Sequence, residues 1–369
     1  MKPLLFERNE TEFSSRGLCT LNDCISCSVT CEGTEEFELE LEYPIEGSNV
    51  DKIEIGRIIY APINIEYNMQ PFQIYRIEKV IKGIITVYAE HVSYRLGRMV
   101  LVPGVHGTYP AEIFQNLPGQ ILGAGGFTFS GNHQGQILWQ TTKPMSVRSA
   151  LFGSEESLLN TYGSGLFLFD KFNVVFDEIG SSKKNHRIKY GVNMLDLKND
   201  VSIADMYTGI VPYFIAQNGM LTLIDWSQLA HDENIVKSDE WSPENNFLMP
   251  LDVSDKFEAP EGAEDWWRPT DAEMWGAAHD YMYNNQTTQP DQNIEVKFVD
   301  LRRSTQYADW KFLENILYND TIEVVYEDLG VNASARVVRT KFDVLAERYE
   351  SLEIGKVKNT LYDYFKKMR

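Results

Sequence analysis

Residues 37–43 read Phe-Glu-Leu-Glu-Leu-Glu-Tyr. Phe37, Leu39, Leu41 and Tyr43 fall on one side of an extended chain and Glu38, Glu40 and Glu42 on the other. A strict period of two predicts a strand with one dry face and one wet face. Ile85, Val87 and Ala89 repeat the rule against Thr86, Tyr88 and Glu90. Between them run IEIGRIIYAPINIEY and QPFQIYRIEKV, punctuated by Pro, Asn and Gly at 44–49, 62–70 and 82–83, as turns require. Four strands with short connections predict an antiparallel meander that buries one face and curls into a small barrel.

A chain of 369 residues exceeds one core, so about two to four domains are expected. With 43% apolar and 12% aromatic residues it belongs to the folded globular class. It holds no apolar run of the length a membrane span needs. The start, MKPLLFERNE, is too short in apolar residues and too charged for a signal peptide. The net charge of −20 lacks the basic footprint of a nucleic-acid binder. It suits a soluble protein, or one lining a passage through which DNA slides without sticking.

The four cysteines, Cys19, Cys24, Cys27 and Cys31, lie within 13 residues. Their spacing matches the start of a plant-type iron–sulfur signature, but no Cys follows Cys31 to complete it. ISCSVTC alternates like a strand, with Cys27 beside Ile25 and Val29 and Cys24 facing the other way. Reduced, buried thiols are the better account. The sequons at Asn9, Asn285, Asn319 and Asn332 then read as chance matches.

Catalytic fingerprints are missing: no G-x-S-x-G, P-loop, H-E-x-x-H or dinucleotide motif occurs. The glycines of GAGG (123–126) read as a turn. His91 beside Glu90 reads as a structural histidine. His231–Asp232–Glu233 and His279–Asp280 are acid–imidazole neighbours of a kind found in metal and hydrolase sites, but adjacent residues do not converge on one ion. Trp266 and Trp267 sit in the acidic stretch EGAEDWWRPTD. Paired indoles stack on sugars or anchor partners; packing the insertion onto the body is the simpler role. Glu261, Glu264, Asp265 and Asp271 read as a solvated face. No catalytic, cofactor or metal residue is assigned.

In chain order, residues 1–100 are expected to form a first β-barrel domain. Residues 101–195 form an inserted α+β domain, in which PAEIFQNL has Pro in its first turn. SVRSALFGSEESLLNTYG (146–163) there is one helix, with Val147, Ala150, Leu151, Leu158 and Tyr162 as its stripe and Gly163 as its stop. FTFS, GLFLFD, FNVVFDEIG and HRIKYG supply its strands. Residues 196–250 and 291–355 form a second barrel domain. It includes a hairpin about Asn218–Gly219, NIEVKFVDL, and three strands in 320–355. YADWKFLENI (307–316) is helix or loop. Residues 251–290 and 356–369 are an acidic, helical periphery. A capping box of Thr270 and Glu273 opens a helix with Met274, Ala277, Ala278 and Tyr281 on one face, and NNQTTQPDQN is an exposed loop. In the tail KVKNTLYDYFKKMR, Val357, Leu361, Phe365 and Met368 share a helical face, as in a docking helix. Residues 53–91 and 320–355 repeat one pattern of acid–apolar strand, turn, Arg-containing strand and closing strand.

Taken together, ISCSVT with FELELEYP, QPFQIYRIEK, VYAEHVSYRL, SVRSALFGSEESLLNTYG with IKYGVNM, NIEVKFVDL and NDTIEVVYEDLGVNASARVVRTKFDVLAERYESLEIG resemble the N-terminal hub region of the phage minor structural protein family. That family is also called prophage tail endopeptidase or tail-associated lysin. The strings keep family order over nearly the whole chain. The resemblance implies a β-rich α+β fold with two similar antiparallel β-barrels per subunit. It also implies a trimeric, pseudo-sixfold ring at the virion tail tip, fitted to the hexameric tail tube. Implied partners are further copies of the chain, a distal tail protein, tail tube proteins and the tape measure protein, with DNA passing through unbound. The family's hydrolase label belongs to domains appended after the hub, and the chain stops at Arg369. It is therefore expected to be no enzyme and to carry no cofactor. The alternatives are a peptidoglycan hydrolase acting at cell entry and a non-catalytic carbohydrate-binding module.

Overall fold

The computed structural model describes residues 1–79, 83–123, 126–154, 156–163, 165–178, 186–190, 193–224, 234–285, 287–298, 316–329 and 331–355. Lys82, Ala124–Gly125 of the GAGG turn, His231–Asp232–Glu233, residues 307–315 and the tail 356–369 lie outside them. The chain divides into two compact units: Met1–Lys198 with Ile294–Arg369, and Asn199–Asn293. No described helix is long and apolar enough to cross a membrane.

The first unit is built on one sheet. Its N-terminal strands are β1 (Leu4–Phe6), β2 (Cys19–Thr20), β3 (Ser26–Glu32), β4 (Glu36–Pro44), β5 (Ile58–Pro62), β6 (Met69–Lys79) and β7 (Ile84–His91). Their spatial order is β3-β4-β7-β6-β5-β1-β2. This corrects the expected meander, because β4 lies against β7 and not against β5. Alternation decides which face of β4 is buried; it does not choose the neighbour. The stretch between Pro44 and Ile58 is long enough to carry the chain across, and the Ile45 amide donates to the Gly83 carbonyl at 2.8 Å.

The predicted dry face is the core. Leu39 sits between Val29 and Ala89, and Leu41 between Cys27 and Val87, and all six are essentially inaccessible. Each such aliphatic side chain contributes roughly 1.5–3 kcal/mol on burial. Cys24 and Cys27 line this same core, whereas Ile25 is exposed. That corrects the predicted facing, because residues 22–25 turn and the strand begins only at Ser26.

The last third supplies three antiparallel strands, Thr321–Tyr326, Val331–Asp343 and Arg348–Gly355. The end of Val331–Asp343 pairs with β3, Lys341 opposite Thr30 and Phe342 opposite Val29. The sheet continues through Arg348–Gly355 to Asp291–Phe298 and Met194–Ser202. Phe342, Leu352 and Ile354 share the core with Leu41 and Val87. No pairing among the described residues closes either half into a barrel. One edge of each half is paired with the other half, which covers those two edges; Met194–Ser202 and β2 stand at the ends of the joined sheet.

Each half has a long middle strand whose register shifts just before an arginine: between Ile74 and Arg76 in β6, and between Val337 and Arg339 in Val331–Asp343, which shifts again between Lys341 and Phe342. Where such a shift is a bulge, it bends the strand and increases its twist.

A second core in this unit gathers side chains from residues 92–176 around Phe6, Phe13, Ile58 and Tyr60. Helix α1 (Pro110–Asn116) begins at its proline. Thr128–Gly131 runs parallel to Asn173–Asp177, which is antiparallel to Leu166–Asp170. The single helix expected over 146–163 is two pieces: a wide turn, Ser149–Gly153, and α2 (Leu158–Tyr162). Ser157 caps α2 with its side chain, so a new helix starts where the old pattern continues. The predicted stripe is buried all the same, and Gly163, left-handed at φ 65°, ends α2. His186–Lys189 leaves this region to pair with Thr321–Tyr326 in the main sheet.

In the second unit, Gly209–Ile215 is the central strand. It pairs with Leu221–Leu223 and Val236–Lys237 on one side of the ladder and runs parallel to Leu248–Asp252. Helix α3 (Asp271–Asn284) opens with the predicted capping box of Thr270 and Glu273. Its Met274, Ala278 and Met282 pack with Ile210, Phe214 and Met249 in one core.

Candidate functional site

The acid–imidazole pairs do not assemble. His279 lies 3.9 Å from Asp280, and its ring is stacked between Trp275 and Tyr283. Among the described residues no three His, Cys, Asp or Glu side chains are placed to hold a metal ion. The cysteines are free. Burial pushes the Cys27 and Cys31 thiols up, Cys31 to about 12, which makes them inert. Trp267 packs edge-on against Phe214 at 6.0 Å, while Trp266 is 62% exposed.

His91 is buried and stacked on Phe37 at 4.3 Å. Its Nδ1 lies 2.9 Å from Ser93 Oγ and its Nε2 3.3 Å from Gln70 Oε1. Gln70 also donates to Asp170 and accepts from the Lys171 amide. Burial alone lowers the His91 pKa to about 3, so the ring is neutral and its role is structural, tying β6 and β7 to the turn at 170–171.

A groove of about 990 Å³ lies on the wet face of the main sheet. It follows from the same alternation that made the core: outward side chains of neighbouring strands meet here. Ser28, Thr30, Glu38 and Glu40 come from β3 and β4, Tyr75, Arg76 and Tyr88 from β6 and β7. Arg339, Lys341, Glu350 and Glu353 come from the C-terminal half.

Its charges are paired across strands. Arg339, just after the first register shift, reaches Glu36 at 2.8 Å, Glu353 at 3.3 Å and Glu32 at 3.5 Å. Burial disfavours the guanidinium charge, but Glu36, Glu32 and Glu353 outweigh it and raise its pKa. Lys341 meets Glu350 at 2.9 Å. Arg76 lies 3.8 Å over the Tyr88 ring. Tyr75 donates to Glu38 at 3.1 Å; burial, and then Glu38, push its hydroxyl up to about 12. Arg339 and Lys341 are thus held by carboxylates and Arg76 by an aromatic ring.

Sequence reasoning assigned no site residue and missed the Arg339 cluster. Glu32 and Glu36 are some 300 residues away from Arg339 in the chain, and no local signal links them.

No family model matches the chain, and no curated protein does. Solved structures do. The chain is similar to the prophage tail protein gp18 of Listeria monocytogenes EGD-e, with 14% identity and a TM-score of 0.60 over 100% of this chain and 98% of that one. It is similar to the 43 kDa tail protein of prophage MuSo2 from Shewanella oneidensis, with 10% identity, TM-score 0.58 and coverage of 97% and 99%. It is also similar to a tail protein of Neisseria meningitidis MC58, with 8% identity, TM-score 0.59 and coverage of 96% of both chains. The chain thus has, from end to end, the fold of these tail proteins. At this identity the likeness is one of fold, and it adds nothing for the endopeptidase label of the family that the sequence resembles.

Proposed function

We propose that the chain is a structural component of a phage or prophage tail, a hub subunit at the tail tip with no catalytic role. The observation that carries this reading is end-to-end likeness in fold to prophage tail proteins. Three subunits, each with two sheet halves, form a pseudo-sixfold ring that fits the hexameric tail tube and closes it until DNA leaves. The register shift before an arginine in both middle strands supports treating the halves as equivalent positions around that ring.

The groove face turns to the lumen in this reading. Arg339 and Lys341 are engaged by carboxylates, and the chain's net charge is −20, so passing phosphates find little to hold them. The neighbours are the distal tail protein, the tube proteins and the tape measure protein. Ring contacts are reinforced by those neighbours, so dilute chain is monomeric. Imaging of assembled tails tests the reading: three copies around the tip are expected, and monomers alone, even in tails and at high protein concentration, would end it. Incubation with purified cell walls separates the rival: no lysis is expected, and lysis by this chain would favour a hydrolase. Exposed Trp266 motivates a glycan-binding reading, which predicts loss of glycan retention in Trp266→Ala, Trp267→Ala.

A further inference from the structure

The second unit has an open apolar sheet face. In Gly209–Ile215 the even residues Ile210, Pro212 and Phe214 are buried, with Ile210 and Phe214 in the core under α3. The odd residues lie on the other face: Gly209 is buried there under Ile235, Leu248 and Trp241, Val211 and Tyr213 are half-buried, and Ile215 is exposed, so the face opens toward the Ile215 end. Register places Tyr213 beside Leu223 and Ile215 beside Leu221, and Gly209 and Val211 beside Leu248 and Pro250. Leu221 is 57% exposed and Ile215 42%, and Leu223 and Leu248 are exposed too. Strands of antiparallel hairpins usually turn polar residues to water; here leucine and isoleucine stand there. Contiguous exposed apolar surface marks an interaction site more often than isolated apolar residues do.

The surroundings select the occupant. Residues 199–293 carry 18 of the chain's 54 carboxylates and only 3 of its 34 lysines and arginines. The Asn218 amide donates to the Asp265 carbonyl at 3.1 Å, which fixes the acidic loop of Glu264, Asp265 and Trp266 at the hairpin tip. Asp252 stands on the open face itself, beside Tyr213. Two such faces would repel each other, so a symmetric pairing is disfavoured. A cationic segment with an apolar stripe fits.

The chain contains one. Residues 356–369 hold five Lys or Arg against one Asp, with Val357, Leu361, Phe365 and Met368 at helical spacing. Wound as a helix, 14 residues run about 21 Å, the length of a seven-residue strand at about 23 Å. We propose that the open face of the 199–293 sheet is the docking site for residues 356–369 of a second copy of this chain. Such a contact joins two different patches, head to tail; a heterologous contact of that kind builds a ring when its rotation closes and a filament when it does not. The inference rests on the ring reading and supplies one of its joints.

The test uses full-length chain. A photo-crosslinking residue replaces Leu221 (Leu221→benzoylphenylalanine), in a mixture of isotopically light and heavy chains at high concentration. Crosslinks are mapped by mass spectrometry and oligomers by mass measurement. The expected result is crosslinks between light and heavy chains that land in residues 356–369. Their yield should fall at least about tenfold in Phe365→Glu, and also when salt is raised from about 0.05 to about 0.5 M. Crosslinks confined to one chain, landing elsewhere, absent, or indifferent to Phe365→Glu overturn the proposal. So does retention on peptidoglycan that Leu221→Lys abolishes while no tail crosslink forms, because the face is then a glycan site. Trimers in assembled tails without tail crosslinks sink the joint and leave the ring reading standing; absence of trimers sinks the ring.

Discussion

His91 is a buried base with no acid to compensate it. Its folded pKa, about 3, lies below the ordinary value near 6.5. The unfolded chain therefore takes up a proton between these values that the folded chain refuses. The stability His91 contributes is complete above about pH 6.5 and is lost as pH falls toward about 3, at up to roughly 1.4 kcal/mol per pH unit. Neighbouring Glu90, raised by burial although Arg98 opposes it, works in the reverse sense nearer the carboxylate range. The unfolding free energy from denaturant titrations should fall by about 2 kcal/mol between pH 7 and pH 5, and His91→Gln should flatten that slope. At the same scale, Gly33 turns β3 into β4 at φ 60°, and a Cβ there would strike the Tyr318 hydroxyl. Gly33→Ala should cost roughly 1–3 kcal/mol, read by thermal unfolding.

At the level of elements, the junction of β3 with Val331–Asp343 is the informative one. Arg339 binds Glu32 and Glu36 from one half and Glu353 from the other. The cluster is partly exposed, so Arg339→Ala should cost only about 1–2 kcal/mol, and less in high salt. Phe342→Ala, by contrast, empties a fully buried site and should cost about 3–5 kcal/mol whatever the ionic strength. Salt-dependent denaturation of both variants checks the contrast. Sequence legibility divides along the same line. Periodicity located the strands at 37–91 and 320–355, and Thr270 with Glu273 located α3, because those signals are local. Which strand lies beside which is not local: β4 met β7 and not β5, and one edge of each half met the other half instead of closing its own. The split of 146–163 came from Ser157, whose hydroxyl capped a second helix inside an unbroken apolar stripe. The Arg339 cluster left no trace because its members are far apart in the chain.

For the molecule as a whole, the two sheet halves share one ladder and one core. They should therefore lose hydrogen-exchange protection together. Lys341→Pro removes a backbone donor opposite Thr30, and it should cost about 3 kcal/mol or more. Exchange should then rise in β4 and β7 as well as in Arg348–Gly355; protection retained in β4 and β7 would mean that the halves are separate folding units. The pairing of Thr30 with Lys341 also has a consequence at birth. At typical synthesis rates roughly 310 residues must leave the ribosome between the two, some tens of seconds in which the outer edge of β3 has no mate. A polysome making several copies at once could supply that mate from a sister chain, so translation speed and crowding among nascent copies would set the yield of correctly built subunits.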